Sequence, residues 1–320
     1  MRKILFFVLT PLYLGVIFGL PLTACASLYL ASTNYPAKLT AIVVAPILFA
    51  TIFVVTAAVL SLAHQRAIVA GRYPRTVAHP VYFHRRLYGL CWTSVYYFTP
   101  VYFIALTIPF LKRVLFRGFG YKGDMAFTVY PDTWIRDLPL LKIGRGVYLS
   151  NKATIGTNIA FPDGSILVDS VTVEDGALIG HLSMLAPGVE VRKGAEVGVG
   201  VAIGLKTVIG EKARINPCCD IGHGVKIGSR VKIGSTTYVS SGVEIGEGIV
   251  IPEGITVPSR TRITCQEEAA LFAHHIEIAK KRKRLGKKRA QSAPPMSLAA
   301  VGHGVGDSQK GNPSGATRLE

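Results

Sequence analysis

Acidic residues are missing from the first third of this 320-residue chain: no Asp or Glu precedes Asp124, while residues 1–123 hold 12 Lys and Arg. Residues 124–263 hold 14 bases and 14 acids, and residues 264–320 hold 10 bases and 5 acids. The formal charge of +17 is thus carried as +12, 0 and +5 along the chain. The middle has no basic excess to form a nucleic-acid footprint, which argues against a nucleic-acid partner. The basic ends flank apolar sequence and read instead as attraction to anionic lipid and as a topology signal. Cysteine is sparse, five residues at 25, 91, 218, 219 and 265, and no spacing suggests a zinc ribbon or a disulfide framework. A reduced, cytosol-facing protein is the simplest reading.

Charge is scarce overall, 17% against 49% hydrophobic residues, and its gaps are long. No charged residue occurs from Ile4 to Ala37, from Leu39 to Gln65, or from Leu87 to Leu111. Each run exceeds the ~20 apolar residues that cross a bilayer as a helix. Arg2 and Lys3 precede the first run; Arg66, Arg72, Arg75, Arg85 and Arg86 follow the second; only Lys38 lies between. This asymmetry predicts a helical hairpin over 4–65 with both ends in the cytoplasm. A lipoprotein signal ending at Cys25 is the rival reading, but the apolar run continues to Ala31, which suits a helix better. The third run has bases on both sides, many aromatics, and Pro100 and Pro109, which interrupt a straight helix. A re-entrant or interfacial segment over 87–111 is expected, with a third crossing as the alternative. Residues 1–122 form the membrane domain on this reading, and 123–142 a connector.

The strongest pattern begins at Ile143. Stepping by six to Ile263 meets 21 residues, all large and apolar, and the unbroken phase predicts a run with no insertion. A small or β-branched residue stands four places after each, from Val147 and Ala153 onward to Thr261, and Gly often follows the large one, as in Ile203-Gly204, Ile227-Gly228 and Ile245-Gly246. A period of six fits neither a helix nor plain alternation. Two inward positions per six residues suit a short strand and a turn, with Gly supplying turn conformations closed to other residues. Three hexads make a triangular coil, and coils stack at ~4.8 Å with their aliphatics in interior columns. Twenty hexads give six coils and two further sides over 143–263.

This pattern resembles the bacterial transferase hexapeptide family. The resemblance implies a left-handed parallel β-helix, usually a homotrimer with sites between subunits, and transfer of acyl groups from CoA or acyl carrier protein to a hydroxyl or amine with a His as general base. Acyl-CoA is then the co-substrate. A crossing at 87–111 would place the solenoid away from cytosolic acyl-CoA, so the β-helix is expected to face the cytoplasm from the inner membrane, with anionic lipid and a membrane-bound acyl acceptor as partners. The order of parts is also similar to the membrane-bound tail of nonribosomal poly-amino-acid synthetases, although no adenylation or carrier domain is present. Relatives resembling γ-class carbonic anhydrase hold zinc through three His; the repeat has two, so no metal is expected.

Those two are the candidate bases, since imidazole titrates near working pH. His181 and His223 are each third in their hexad and should point outward. They are 42 residues apart, two coils and one side, and so belong to different faces that a trimer brings together. His181 is preferred because Asp169, Glu174 and Asp175 precede it and one of them should orient the ring. For CoA, Gly198, Gly200 and Gly204 should offer backbone amides to the pantetheine and Lys206 an ammonium to phosphate. Cys219 takes an inward position and reads as core. After the repeat, Thr264-Cys265-Gln266-Glu267 fits a capping box, so a basic helix over 264–290 is expected to cover the open end with Phe272, Ile276 and Ala279 and to lodge on anionic lipid, followed by a disordered tail over 291–320. The alternative to an enzyme is a catalytically silent membrane scaffold that uses the β-helix to trimerise.

Overall fold

The computed structural model describes residues 2–272. Helices α1 (Arg2–Ala31) and α2 (Tyr35–Gln65) form the hairpin. Asn34 caps α2, its side-chain oxygen accepting from the Ala37 amide at 2.9 Å, and Pro36 stands in the first turn, where its missing N–H costs nothing. Both helices are long and apolar enough to cross a membrane. The third apolar run is broken into α3 (Pro80–Tyr97), α4 (Thr99–Thr107) and α5 (Pro109–Gly118). Pro100 and Pro109 sit in the first turns of α4 and α5, which bend by 113° relative to one another. A proline ring clashes with the preceding turn but is pre-shaped to start a helix, so each one ends a helix and opens the next.

The repeat is a three-sided parallel β-helix. Its strands form three seven-stranded sheets, starting at Thr128–Val129 (first face), Trp134–Ile135 (second face) and Leu141–Ile143 (third face). Leu178 pairs with Glu196 and Met184 with Ala202, each eighteen residues on. Val197, Ile203, Ile209, Ile215, Ile221 and the residues in phase with them from Val173 to Ile263 are buried in the axis. The coil therefore starts before Ile143, in the segment expected to be a connector. A phase slip hides it: Val129, Ile135 and then Ile143 face inward, because the 3-10 turn Leu138–Leu140 adds two residues to one side.

The run also contains an insertion that its periodicity conceals. Leu149 pairs with Ile179, thirty residues on instead of eighteen. The extra twelve equal two hexads and leave the phase unchanged. They form a hairpin, Asn158–Ala160 against Ser165–Val168, whose outer edge pairs antiparallel with β1 (Gly71–Pro74). Ile166 and Val168 are its buried residues, and the in-phase Phe161 and Leu167 are not core columns.

Glycine after the large residue has a different role from the one expected. A Cβ at Gly210 would lie 2.5 Å from the backbone of Gly228 one coil on, so close stacking demands its absence. The left-handed conformation falls two residues later, at φ 64° for Gly200 but also at Leu182, Lys206, Cys218 and Thr236. Non-glycine residues there carry a strain of about 1 kcal/mol each.

The helices close the first coil. Trp92 donates from its indole N–H to the Ile135 carbonyl at 2.7 Å, Tyr88 donates to the Phe119 carbonyl at 2.9 Å, and Tyr121 donates to the Ile143 carbonyl at 2.8 Å. Burial pushes the Tyr121 hydroxyl up to about 12, so it remains a donor at any working pH. Arg85 of α3 forms a buried ion pair with Asp137 of the first coil and donates to Asn158 of the hairpin at 2.7 Å, while Thr157 donates to Asp137 at 2.8 Å. One carboxylate thus ties α3, the coil and the insertion together. At the far end, Gln266 meets both the amide and the carbonyl of Val250, at 2.8 and 2.9 Å, and so satisfies the open edge of the first face. Residues 266–272 are helical, with Ala269 buried. The cap differs from the expected box by one residue: the Thr264 amide donates to Glu268, at 2.6 Å, rather than to Glu267. The rest of the expected basic helix, with Ile276 and Ala279, and the tail over 291–320 lie outside the described residues.

Three substitutions test this reading. Asp137→Asn strands the buried Arg85 and should lower stability by about 3–5 kcal/mol in detergent-solubilised protein, read by chemical denaturation. Gly210→Ala should cost about 1–3 kcal/mol through the coil clash, whereas Thr236→Gly should gain about 1 kcal/mol by relieving a left-handed β-branched residue.

Candidate active site

The three faces carry different outward side chains. The third face is a charge ladder: Lys226 bonds Glu244 at 2.8 Å and Arg262 reaches the same carboxylate at 3.4 Å, while Arg192 holds Glu174 and Glu190. The second face is nearly uncharged. Thr154, Met184, Ala202 and Tyr238 point outward along it, and Asp220 is its one charged outward residue among the paired strands. A cavity of about 510 Å³ lies against this face, bounded by Asn158 and Ile159 of the hairpin and by His223 and Ser241 at the edge with the third face.

His223 belongs to that cavity. Its Nδ1 accepts the Leu205 amide at 2.9 Å, and its own amide donates to the Ser241 hydroxyl at 3.1 Å. An amide donor requires Nδ1 to be bare, so the neutral ring carries its hydrogen on Nε2. In this orientation His223 offers the cavity an N–H donor and its one lone pair is already used.

His181 occupies the opposite edge of the same face, between the first and second faces, in the turn linking Leu178–Ile179 to Met184–Leu185. None of the three acids expected to orient it does so. Asp169 accepts the Ser170 amide at 2.8 Å, Glu174 is held by Arg192 and the Lys193 amide, and Asp175 accepts the Arg145 amide at 2.7 Å. Glu174 and Asp175 lie at the edge between the third and first faces, a whole side away; proximity in sequence is not proximity around a coil. The His181 imidazole makes no side-chain hydrogen bond among the described residues.

The residues expected to receive CoA separate likewise. Gly204 lines the cavity, with Lys206 beside it on the same edge, while Gly198 and Gly200 share the edge of His181. Their amides are not available: Gly198 donates to Ile215, Gly200 to His181, Gly204 to Ile221 and Lys206 to Pro187, all within the coil ladder. The amides that face outward are those of the third residue in the hexad. Arg145, Lys193, Leu205 and His223 all donate to side chains from that position. Sequence reasoning also missed Asp220 and Tyr238; listing the outward residue of every third hexad would have exposed one face with a single charge. Cys219 is buried and its thiol is pushed up by that burial, which suits core packing.

A family model, bacterial transferase hexapeptide (six repeats), matches residues 206–241. That match takes in 36 of the 320 residues, all of them within the coil. Among solved structures, the acetyltransferase domain of PglB from Neisseria gonorrhoeae, in complex with acetyl coenzyme A, is 22% identical with TM-score 0.22, over 46% of this chain and 61% of that one. UDP-N-acetylglucosamine O-acyltransferase from Moraxella catarrhalis is 15% identical with TM-score 0.30, over 45% and 58%. A perosamine N-acetyltransferase variant from Caulobacter crescentus, in complex with CoA and GDP-perosamine, is 15% identical with TM-score 0.20, over 45% and 57%. The matched region spans about three fifths of those three chains. No curated protein matches.

The bare-Nδ1 geometry makes a prediction within this hexapeptide β-helix. His223→Asn retains an oxygen that can accept the Leu205 amide and should leave stability within about 0.5 kcal/mol, while His223→Ala should cost about 1 kcal/mol; thermal unfolding of both variants checks it.

Proposed function

We propose that this chain is a membrane-anchored acyltransferase that moves an acetyl or longer acyl group from CoA, or from acyl carrier protein, to a hydroxyl or amine of a membrane-associated acceptor such as a lipid-linked sugar or a lipid. The observation that carries the reading is the second face of the β-helix: almost uncharged, with the His223 imidazole N–H lining its cavity and the unengaged His181 imidazole at the opposite edge of the face. Acyl-CoA is the co-substrate and no metal takes part. The hairpin of α1 and α2 anchors the protein in the inner membrane, and the β-helix works at the cytoplasmic surface, where acyl-CoA is present.

The two imidazoles have separate roles. His181, with its lone pair free, takes the proton from the acceptor O–H or N–H as that atom attacks the thioester carbonyl carbon. The His223 Nε2–H donates to the oxyanion that forms on the carbonyl oxygen. Collapse re-forms the carbonyl and breaks the C–S bond, and the proton held by His181 passes to the departing CoA thiolate. Acyl acceptor and free thiol are the products. Outward amides at third hexad positions, such as that of Val199, hold the pantetheine carbonyls, and Lys206 meets a CoA phosphate.

Within one copy the two rings are separated by one side of six residues and two coil rises, roughly 20 Å, too far to share a thioester. A second copy resolves this. Leu178, Leu182, Met184 and Val199, each 39–52% exposed, lie along the first–second edge beside His181. A homotrimer buries this stripe and brings His181 of one copy to the second face of the next. The stripe alone also suits a silent trimeric scaffold, and turnover separates the two readings. Purified protein in detergent, given acyl-CoAs and membrane extract, should release free thiol. His181→Ala should reduce that release by about 10²- to 10⁴-fold with an unchanged unfolding profile. Absence of thiol release from the unaltered protein across acetyl- to long-chain CoA would favour the scaffold.

A further inference from the structure

A second cavity, also about 510 Å³, lies on the third face of the first coils, away from both histidines. Its floor is apolar, built from Pro139 and the edges of Leu141, Ile143 and Val173. Its rim carries three ammonium groups, Lys122, Lys142 and Lys193, none of which forms an ion pair among the described residues. The two acids at the rim are already engaged. Glu174 binds the Arg192 guanidinium and the Lys193 amide, both at 3.1 Å, and Asp175 binds the Arg145 amide at 2.7 Å. The cavity is therefore cationic at its mouth and apolar at its base.

It is also tied to the membrane helices. Lys122 follows Tyr121, whose hydroxyl donates to the Ile143 carbonyl in the floor. Four residues earlier ends α5, a short helix with Lys112, Arg113 and Arg117 and an exposed Phe110. Basic residues beside exposed aromatics are the composition of a helix at the lipid headgroups. A ligand with a phosphate at one end and hydrocarbon at the other matches both halves of the cavity: the ammonium groups attract the phosphate, and the apolar floor takes the first carbons of the chain.

We propose that this cavity binds the phosphate-bearing head of a membrane amphiphile and so holds the base of the β-helix against the lipid surface. The inference rests on the membrane anchoring proposed above, but not on thioester turnover. The test uses the full chain in a neutral detergent, titrated calorimetrically with dioctanoyl phosphatidate, with dioctanoyl phosphatidylcholine and with inorganic phosphate. The unaltered protein should bind phosphatidate more tightly than either comparison ligand, and a Lys142→Gln, Lys193→Gln double variant should bind it roughly 10- to 30-fold more weakly. The variant should keep its unfolding midpoint and its acyl-CoA thiol release. Equal affinity of protein and variant for phosphatidate would overturn the proposal. Phosphatidylcholine binding as tightly would remove the role of charge, and inorganic phosphate binding as tightly would remove the amphiphile; either result overturns it as well. Phosphatidate binding lost with the lysines, in a protein that releases no thiol, would uphold this site while refuting the enzymatic reading.

Discussion

The hydrogen-bond ladder between residues eighteen apart governs what the rest of this molecule can do. Leu178 to Glu196, Glu196 to Arg214 and Arg214 to Lys232 continue one unbroken row, and the same holds on the other two faces. The ladder consumes the strand amides and the corner amides together. It also compresses the coils until the residue after each large aliphatic must often be glycine. Chemistry on such a scaffold must come from outward side chains and from the few amides that the ladder releases at the third place of a hexad. The same rigidity fixes which side chains share a face, so the uncharged second face and the ion-paired third face are properties of register.

A ladder needs ends, and each end here is closed by a different physical device. The helical N-terminal part closes the start: Trp92, Tyr88 and Tyr121 bury their rings while their N–H and O–H groups satisfy carbonyls of the first coil and of the adjoining turn. The charged contact of Arg85 and Asp137 lies in the same junction and reaches into the hairpin insertion. At the other end, the side-chain amide of Gln266 substitutes for a missing strand. Because the hairpin forms a wall of the second-face cavity and is joined to Arg85 and to β1, the shape of the candidate site depends on the helical part as well as on the solenoid.

How much of this could be read from the residues depends on whether phase survives. From Val173 to Ile263 each inward aliphatic is where a step of six places it, since nothing is inserted there. The first coil was lost to a slip of two residues at Leu138–Leu140, and the hairpin was masked because twelve is a multiple of six. Residue placement around the coil was harder. Asp175 is six residues from His181 in the chain, yet those six residues turn a corner and cross a face, so the carboxylate serves Arg145 instead. The glycines were visible, but periodicity does not distinguish one needed for a left-handed turn from one needed for close approach. Only the stacked neighbour, such as Gly228 above Gly210, makes that distinction.

The most direct test of the account is an experimental structure of the full chain in detergent with CoA bound. The account predicts density for the pantetheine along the second face, between two copies of the chain, with its sulfur between His223 of one copy and His181 of the next. A single copy with an empty second face, or CoA seated on the charged third face, would contradict it.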